Sequence, residues 1–338
     1  MQTISDLKVP ASYLAAFIED LDLGATEQDE LVRRAGLKTG QLAGGEAWLG
    51  LTQLLAAMRI VDASSTPGWH IEPALNLEAA HHGPLGIAVV TASTVRQAIA
   101  TLVQFEPTRA PWTLLQAREK NQQLELRAVP VIALEAPGQV LMEMNLIALA
   151  GLLAQLLGQQ ARQLQIRFPT NYRAWEQRLC ERLPGQVDFS GRDYRISLPQ
   201  SLLDRPCLMA DASLHASAVA RCKSLMLQHG RQGPLTTRLR QRLFELEGRS
   251  PGQARLASEL GLSTRSLIRQ LADEGSSFRE QLDQVRQTLA RDLLLHSEMS
   301  IATIAENLGY ADPANFGRAF HRWFGHSPGR LRSGPKRD

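Results

Sequence analysis

Residues 256–262, LASELGL, and residues 304–310, IAENLGY, share one pattern: an apolar residue, Ala, two variable residues, Leu, Gly and an apolar residue. A glycine after a short helix supplies the positive φ of a tight turn, and the apolar residue after it packs between two helices. A second helical segment follows each copy. The repeat therefore predicts two helix-turn-helix units in this part of the chain.

The segments after the two turns each separate an apolar face from a basic one. At 100° per residue, Leu267 and Leu271 share one face of the first segment. Arg265 and Arg269 share the opposite face. In the second segment, the aromatic face holds Phe316, Phe320, Trp323 and Phe324, and the donor-rich face holds Asn315, Arg318, His321 and Arg322.

Arg269 and Arg318 occupy equivalent places, two residues after the first core residue of their helices. A single arginine on an exposed face is most often simply solvated, but here the same donor recurs at the same place. A guanidinium can donate two hydrogen bonds to guanine in the major groove, which admits an α-helix. From Pro234 onward the chain has 16 basic and 12 acidic residues, which permits a polyanionic partner. We expect both arginines to contact the bases or backbone of double-stranded DNA.

The sequence also predicts where the two helices begin and how far apart the two units lie. Ser263 is expected to cap the first of these helices, and Asp312 followed by Pro313 is expected to cap the second. Apolar residues three or four apart over residues 277–296 predict a connecting helix of roughly 30 Å. Successive major grooves on one side of B-DNA are ~34 Å apart. The prediction is that one chain inserts both helices into adjacent major grooves.

A Gly- and Pro-containing stretch, HGRQGP at residues 229–234, divides the chain of 338 residues, which is longer than a usual single domain of roughly 100 to 200 residues. We expect an effector-binding or dimerisation domain at residues 1–229, a hinge at 230–234 and an all-α DNA-binding domain at 235–334. The last of these should contain helix-turn-helix units at about residues 253–274 and 300–324, joined by a linker helix at about residues 277–296.

Helical and strand patterns alternate before the hinge, which predicts an α+β domain with a mixed sheet and flanking helices. Strands are expected at residues 112–117 and 122–129 as one hairpin, at 164–168, and at 187–189 and 194–198 as a second hairpin around residues 190–193. Helices are expected at residues 47–63, 94–105, 141–160 and 174–183.

Residues 144–161 are uncharged and nearly long enough to span a membrane. Asn145 and three glutamines interrupt them, so we expect a buried core helix and no membrane contact. The odd set Cys180, Cys207 and Cys222 has no CxxC spacing, which argues against disulfides and structural zinc. With no signal-peptide pattern at the N-terminus, the cytoplasm is expected.

Two patterns in the sequence resemble parts of enzyme active sites, but neither has the surroundings that catalysis requires. Gly325, Ser327 and Gly329 match the GxSxG of a nucleophile elbow, but the preceding residues are helical, whereas that serine requires a strand-to-helix turn. His81 and His82 diverge by about 100° on a helix and lack a carboxylate or cysteine at ligand spacing. We expect no catalytic residue, no metal and no cofactor.

Residues 255–332 resemble the DNA-binding domain of AraC/XylS-type transcription regulators. The resemblance rests on LASELGLSTRSLIRQLADEGSSFREQLDQVRQTLARDLLL and on IATIAENLGYADPANFGRAFHRWFGHSPGRLR, which ends in the family's closing motif. Ile268 and Ala314 are apolar, so contact with a thymine methyl group is the alternative to hydrogen bonding there. The groove-facing positions that the resemblance implies are Arg265, Ile268 and Arg269 in the first unit and Ala314, Asn315, Arg318 and Arg322 in the second.

Residues 81–105, HHGPLGIAVVTASTVRQAIATLVQF, and 187–211, VDFSGRDYRISLPQSLLDRPCLMAD, resemble the arabinose-binding-like effector domain of ornithine-type regulators in the same family. The resemblance implies a sequence-specific regulator controlled by a small-molecule effector. An activator would also contact RNA polymerase, and the arrangement is compatible with a homodimer.

The alternatives are a ligand-independent regulator whose N-terminal domain only dimerises and, third, an enzyme with an appended DNA-binding domain. A sensor requires an apolar cavity of roughly 300 to 1,000 Å³ with a few polar groups. Trp48, His82 and Trp112 are candidate lining residues by their chemistry alone, and each is also compatible with ordinary packing.

Overall fold

The chain forms two structural units, Met1–His229 (unit 1) and Gly230–Asp338 (unit 2). The computed structural model describes residues 7–21, 24–38, 40–42, 47–130, 136–169, 175–191, 193–228, 234–296 and 299–333. Of the hinge predicted at residues 230–234, all but the last residue lies outside the described residues.

Unit 1 contains a short antiparallel strand pair and a five-stranded mixed sheet. The strands are β1 Lys8–Pro10, β2 Trp48–Gly50, β3 Thr113–Lys120, β4 Gln123–Pro130, β5 Gln165–Pro169, β6 Gln186–Gly191 and β7 Tyr194–Pro199. β1 pairs with β2, and the larger sheet has the order β3-β4-β7-β5-β6. Only the β5–β6 pair is parallel; the other three pairs of this sheet are antiparallel. The predicted mixed sheet is confirmed.

The helices of unit 1 are α1 Ala11–Asp20, α2 Ala25–Arg34, α3 Leu51–Ser64, α4 Ile71–Leu75, α5 Gly83–Val90, α6 Val95–Phe105, α7 Ala136–Leu157, α8 Glu176–Arg182 and α9 Ala212–Gln228. The four helices expected from the sequence are present with shifted ends. α3 begins four residues late because β2 precedes it. Thr94 lies outside α6 and caps it, accepting a hydrogen bond from the backbone N–H of Gln97 at 3.2 Å.

The first predicted hairpin is present, but its turn is tighter than expected. β3 continues to Lys120, which pairs with Gln123, and the two residues between them, Asn121 and Gln122, have φ of 51° and 61°. Two consecutive positive φ values are those of a type I′ turn, whose twist matches that of the strands. The charged residues expected in the turn instead lie exposed on an edge strand, where charge opposes pairing with another chain.

The second predicted hairpin is wrong. β6 and β7 do not pair, because β5 lies between them in the sheet. β5 and β6 are parallel, so the chain between them must cross over, and α8 lies in that connection.

α7 forms the centre of unit 1. It contacts β4 and β7 of the sheet as well as α3, α4 and α5, and nearly all of its residues are buried. A helix that is apolar all round must be covered on every side. The segment Gly138–Gln163 is long and apolar enough to cross a membrane, yet 78% of its most apolar window is buried inside the protein. This is the burial expected of the predicted core helix.

The described part of unit 2 is helical. Its helices are α10 Pro234–Glu245, α11 Gln253–Glu259, α12 Thr264–Asp273, α13 Phe278–His296, α14 Ile301–Asn307, α15 Pro313–Phe324 and α16 Pro328–Ser333. Helix α10 was not foreseen as a separate element. The pairs α11–α12 and α14–α15 are each joined through a glycine with φ of 74°, Gly261 in the first and Gly309 in the second. The glycine turns predicted from the repeat are therefore present.

Candidate DNA-binding face and effector cavity

The N-termini of α12 and α15 are capped as the sequence predicts. The Ser263 hydroxyl accepts a hydrogen bond from the backbone N–H of Ser266 at 3.1 Å. The Asp312 carboxylate accepts one from the backbone N–H of Asn315 at 2.6 Å, and Pro313 occupies the first turn. These caps satisfy backbone donors that have no partner inside a helix, and so determine where each helix begins.

Both helices bury their apolar face and expose the opposite one. Leu267 and Leu271 of α12 are fully buried, whereas Arg265 and Arg269 are exposed and the Ile268 side chain is 53% exposed. In α15 the buried residues are Phe316, Ala319, Phe320 and Trp323, and the exposed ones include Ala314, Arg318, His321 and Arg322. Asn315 is half-buried.

The polar residues on the two exposed faces differ in how they are held. Arg318 donates to the Asn315 amide oxygen at 2.6 Å, and Asn315 donates to the Asp312 carboxylate at 2.5 Å. Arg322 forms an ion pair with Asp283 of α13 at 3.0 Å. The α15 donors are therefore pre-positioned by neighbouring side chains.

In α12, by contrast, the side chains of Arg265 and Arg269 are exposed and make no hydrogen bond or ion pair with any residue that the structure describes.

Arg286 of α13 connects separate parts of unit 2. It donates to the Gly248 carbonyl at 3.0 Å and to the Gly309 carbonyl at 3.3 Å, and its guanidinium lies 4.7 Å from the centre of the Tyr310 ring. A Cβ atom at Gly309 would lie 3.1 Å from the Arg286 guanidinium. The turn between α14 and α15 is thereby attached to α13.

Unit 1 contains a cavity lined mostly by helices. Its walls come from α1, α3, α5, α6 and α7, from residues 77–82 and from the segment after α6. The apolar lining consists of Phe17, Leu54, Leu77, Leu85, Leu102, Ala110, Leu141, Met144, Ala148, Leu149 and Leu152. The polar lining consists of Tyr13, His82, Glu106, Arg109, Trp112 and Asn145. A mostly apolar lining with a few polar groups is typical of small-molecule sites.

Tyr13, His82 and Arg109 form one part of the polar lining. The Tyr13 hydroxyl lies 2.7 Å from Nδ1 of His82, and the Arg109 guanidinium lies 5.1 Å from the centre of the Tyr13 ring. Arg109 also donates to the His81 carbonyl at 2.8 Å. Burial, assisted by the positive charge of Arg109, lowers the pKa of His82 to about 3, so its imidazole is neutral at pH 7.

Glu106 and Asn145 form the other part. Asn145 donates to one carboxylate oxygen of Glu106 at 3.1 Å and to the Thr113 hydroxyl at 3.1 Å. Burial raises the pKa of Glu106 well above its usual range, although the Asn145 amide and the backbone of Leu115 act in the opposite direction. The carboxyl therefore keeps its proton to a higher pH than an exposed glutamate does.

Four polar atoms of this lining are buried without a hydrogen-bond partner among the described residues: Nε2 of His82, Oε2 of Glu106, Nε of Arg109 and Nε1 of Trp112. The residues are between 2% and 8% exposed. Buried polar groups in native proteins almost always have a partner. Four such atoms around one cavity leave hydrogen-bonding capacity that water or a ligand with polar atoms can use.

The three candidates from the sequence fall in different places. His82 and Trp112 line the cavity. Trp48 lies in β2, opposite Pro10, and is not among the lining residues. Sequence reasoning missed Tyr13, Glu106, Arg109 and Asn145. A signal was available for Asn145, a lone amide in an uncharged apolar helix, and for Glu106 and Arg109, two charges beside apolar segments.

The wall that carries His82 is in close contact with α5. A Cβ atom at Gly86 would lie 1.8 Å from the Ala79 carbonyl oxygen, so a side chain at this position would displace the turn Ala79–His82. Glycine is required here by the close approach of the two backbones.

His81 and His82 diverge as predicted. His81 accepts from the backbone N–H of Glu78 at 3.0 Å, whereas His82 faces the cavity. No cluster of three metal-ligating side chains exists among the described residues. Ser327 lies between α15 and α16, a helical setting that differs from a nucleophile elbow.

Comparisons with known proteins match both units. Residues 26–207, more than half the chain, match the N-terminal arabinose-binding domain of AraC transcription regulators, and residues 256–334 match a helix-turn-helix domain. The chain is 27% identical over 330 residues to the ornithine utilization regulator of Pseudomonas aeruginosa, covering 97% of each protein. It is 31% identical over 149 residues to the HTH-type transcriptional regulator VqsM of the same organism, covering 44% of this chain and 46% of VqsM. The crystal structure of the transcriptional regulator CdpR from Pseudomonas aeruginosa aligns with a TM-score of 0.45 and 22% identity, over 90% of this chain and 96% of CdpR.

Proposed function

Because the chain belongs to the AraC family of DNA-binding transcription regulators, whose members are not enzymes, we propose that unit 2 binds two adjacent major grooves of one DNA duplex under the control of a small molecule bound in unit 1. The observation that carries the DNA-binding part is the matched pair of exposed faces on α12 and α15. A bacterial chromosome as the target implies that the protein works in the cytoplasm.

In this proposal α11–α12 and α14–α15 are the two helix-turn-helix units, and α13 is the linker helix between them. Residues 235–334 then form the DNA-binding domain and residues 1–229 the effector domain. The 19 residues of α13 span about 28 Å at 1.5 Å per residue. That length is comparable to the ~34 Å between successive major grooves on one side of the duplex.

The proposed DNA contacts divide by chemistry. Arg269 and Arg318 have the donors for a bidentate contact with guanine, and Ile268 and Ala314 present apolar groups suited to a thymine methyl group. Arg265, Asn315 and Arg322 complete the same two faces. The ion pair of Arg322 with Asp283 supports a role in which Arg322 is held ready at the edge of the groove.

Selection of binding sites from a random duplex library by the full chain tests this part. Two half-sites one helical turn apart should be enriched, because the two reading helices would enter successive grooves. Enrichment of a single half-site, or of none, would contradict the two-groove arrangement.

The cavity in unit 1 supports control by an effector. Its lining is mostly apolar, and four of its buried polar atoms have no hydrogen-bond partner among the described residues. A ligand shifts a regulator between two states only as far as its affinities for those states differ. The effector should therefore change the affinity of the chain for DNA as well as its stability.

Thermal unfolding of the full chain with L-arabinose, L-ornithine, other amino acids, sugars and organic acids tests this part. A ligand of the native state raises its stability by RT ln(1 + [L]/Kd). Any compound that raises Tm is then added to the DNA-binding assay. If it leaves DNA affinity unchanged, the alternative of a ligand-independent regulator is favoured.

A further inference from the structure

The chemistry of the cavity lining indicates which chemical class of ligand the cavity binds. This inference rests on the effector-binding function proposed above. The unpartnered atoms of the lining are mostly hydrogen-bond donors. Nε of Arg109 and Nε1 of Trp112 carry hydrogens at any ordinary pH. The ligand should therefore present acceptor atoms to this wall.

His82 adds a third donor in one tautomer. A neutral imidazole carries its proton on one nitrogen only, and the Tyr13 hydroxyl lies 2.7 Å from Nδ1. Burial raises the pKa of Tyr13, so the hydroxyl retains its proton and can donate it to Nδ1. Nε2 then carries the imidazole proton, and this buried N–H has no partner among the described residues.

The lining holds few charged groups. Arg109 is its only basic residue besides the neutral His82, and Glu106 is its only acidic residue. Burial raises the pKa of Glu106, which weakens its ability to balance the charge of Arg109 as an anion. A buried cation without a counter-charge is unfavourable and favours an anionic ligand.

The rest of the cavity excludes a ligand that is polar throughout. Leucine, methionine and alanine side chains of α6 and α7 make up much of the remaining lining. A sugar or an inorganic anion would leave hydroxyl groups or charge against this apolar wall.

We propose that the cavity binds a small monocarboxylate with an apolar body, whose carboxylate accepts hydrogen bonds from Arg109, Trp112 and His82 while its hydrocarbon part packs against Leu102 and Leu149. The carboxylate supplies both the acceptors and the negative charge that the polar wall lacks. The Glu106 carboxyl can donate one further hydrogen bond to it.

The test uses three probes with the same hydrocarbon chain and different head groups: octanoate, octan-1-ol and octylamine. Binding to the full chain is measured by calorimetry and by thermal shift. Octanoate should bind at least about tenfold more tightly than either analogue, because a hydrogen bond to a charged group contributes more than one between neutral groups. Preference for octylamine or octan-1-ol would overturn the carboxylate class while leaving a sensor in place. No binding of any probe would also overturn the class, and the effector function would then depend on the broader compound screen.

Two variants distinguish a direct contact with the ligand from a structural role in the cavity wall. Trp112→Phe removes one N–H donor and retains an aromatic ring, and Arg109→Met removes the charge. Each should weaken octanoate binding about 10- to 100-fold and change octan-1-ol binding by less than about threefold. Arg162→Met, an exposed arginine away from the cavity, is the matched control and should leave both affinities unchanged. Equal losses for octanoate and octan-1-ol in Trp112→Phe would mean that the residue only supports the cavity wall, and the proposed carboxylate contact would be wrong.

Discussion

Glu274, the residue that follows α12, caps the first turn of α10: its carboxylate accepts a hydrogen bond from the backbone N–H of Thr236 at 2.8 Å and also contacts the Thr236 hydroxyl. A carboxylate at a helix N-terminus also interacts favourably with the helix dipole. Leu239 and Leu243 of α10 are fully buried against the rest of unit 2. α10 is thus an integral part of the unit that the sequence repeat defines only from residue 253 onward.

The first prediction concerns the smallest fragment that folds. A fragment that begins at residue 231 should be helical and should bind DNA, because it contains every helix of unit 2. A fragment that begins at residue 250 lacks α10, exposes the surface that Leu239 and Leu243 cover, and should have a lower Tm by circular dichroism. Equal Tm values for the two fragments would mean that α10 contributes no stability.

The second prediction concerns Arg269 and Arg318. Substitution of either by alanine should cost roughly 1 to 3 kcal/mol at a selected site and change the preference at one or two base pairs, if the contact is to base edges. Arg279→Ala, at an exposed position of α13, is the control and should change affinity only slightly. Equal loss on all sequences, with a reduced salt dependence, would identify phosphate contacts instead.

Particular residues show what the sequence could predict. The helix starts at Ser263 and Asp312 follow from local chemistry, since the capping side chain and the N–H it binds are three residues apart. The β6–β7 hairpin was wrong because nothing in residues 186–199 reveals that β5, about twenty residues earlier, enters between them. Sheet order depends on contacts between distant segments, which a local pattern does not contain.

The cavity could not be predicted from the sequence for the same reason. Tyr13, His82, Arg109 and Asn145 come from four separate stretches of the chain and meet only in the folded unit. The choice of His82 and Trp112 as candidates rested on side-chain chemistry alone. The same reasoning also chose Trp48, which lies in β2.

The third prediction concerns a buried contact between a histidine and a glutamate in the core of unit 1. His70 Nε2 lies 2.9 Å from a carboxylate oxygen of Glu143, and their side chains are 2% and 7% exposed. Glu143→Ala should destabilise the protein by about 1 to 3 kcal/mol in urea unfolding, because it leaves the buried Nε2 of His70 without this partner. The double variant His70→Leu, Glu143→Leu should lose less than Glu143→Ala alone.

The more exposed ion pairs of Glu72 with Arg178 and Arg182 supply the comparison. The Glu72 and Arg178 side chains are 30% and 51% exposed, so Glu72→Ala should cost only about 0 to 1 kcal/mol. A similar loss in Glu72→Ala and Glu143→Ala would show that burial does not set the contribution of the His70 pair.

The fourth prediction concerns how Glu106 makes the stability of the folded protein depend on pH. Its pKa is raised in the folded state, so the folded protein retains a proton that the unfolded chain releases above about pH 4.5. This carboxyl therefore makes the folded state less stable as pH rises from that value to its raised pKa, by at most about 1.4 kcal/mol per pH unit.

Glu106→Gln keeps the shape and the Asn145 contact but cannot titrate. The stability of the variant relative to the natural chain should therefore increase between pH 5 and the raised pKa, as measured by urea unfolding at several pH values. Glu19→Gln, an exposed control in α1, should show no such trend. A constant difference across this range would mean that Glu106 titrates normally.

The glycine at position 86 gives the two walls of the cavity unequal freedom to vary. The turn Ala79–His82 rests directly on the backbone of α5, so no side chain larger than hydrogen can be introduced there without moving His82. Leu102, Ala148 and Leu149 contribute apolar side chains to the lining, so exchanges among apolar residues are expected to change the internal space more than the position of His82. Divergence of this cavity towards new molecules should therefore act mainly through the shape of its apolar part.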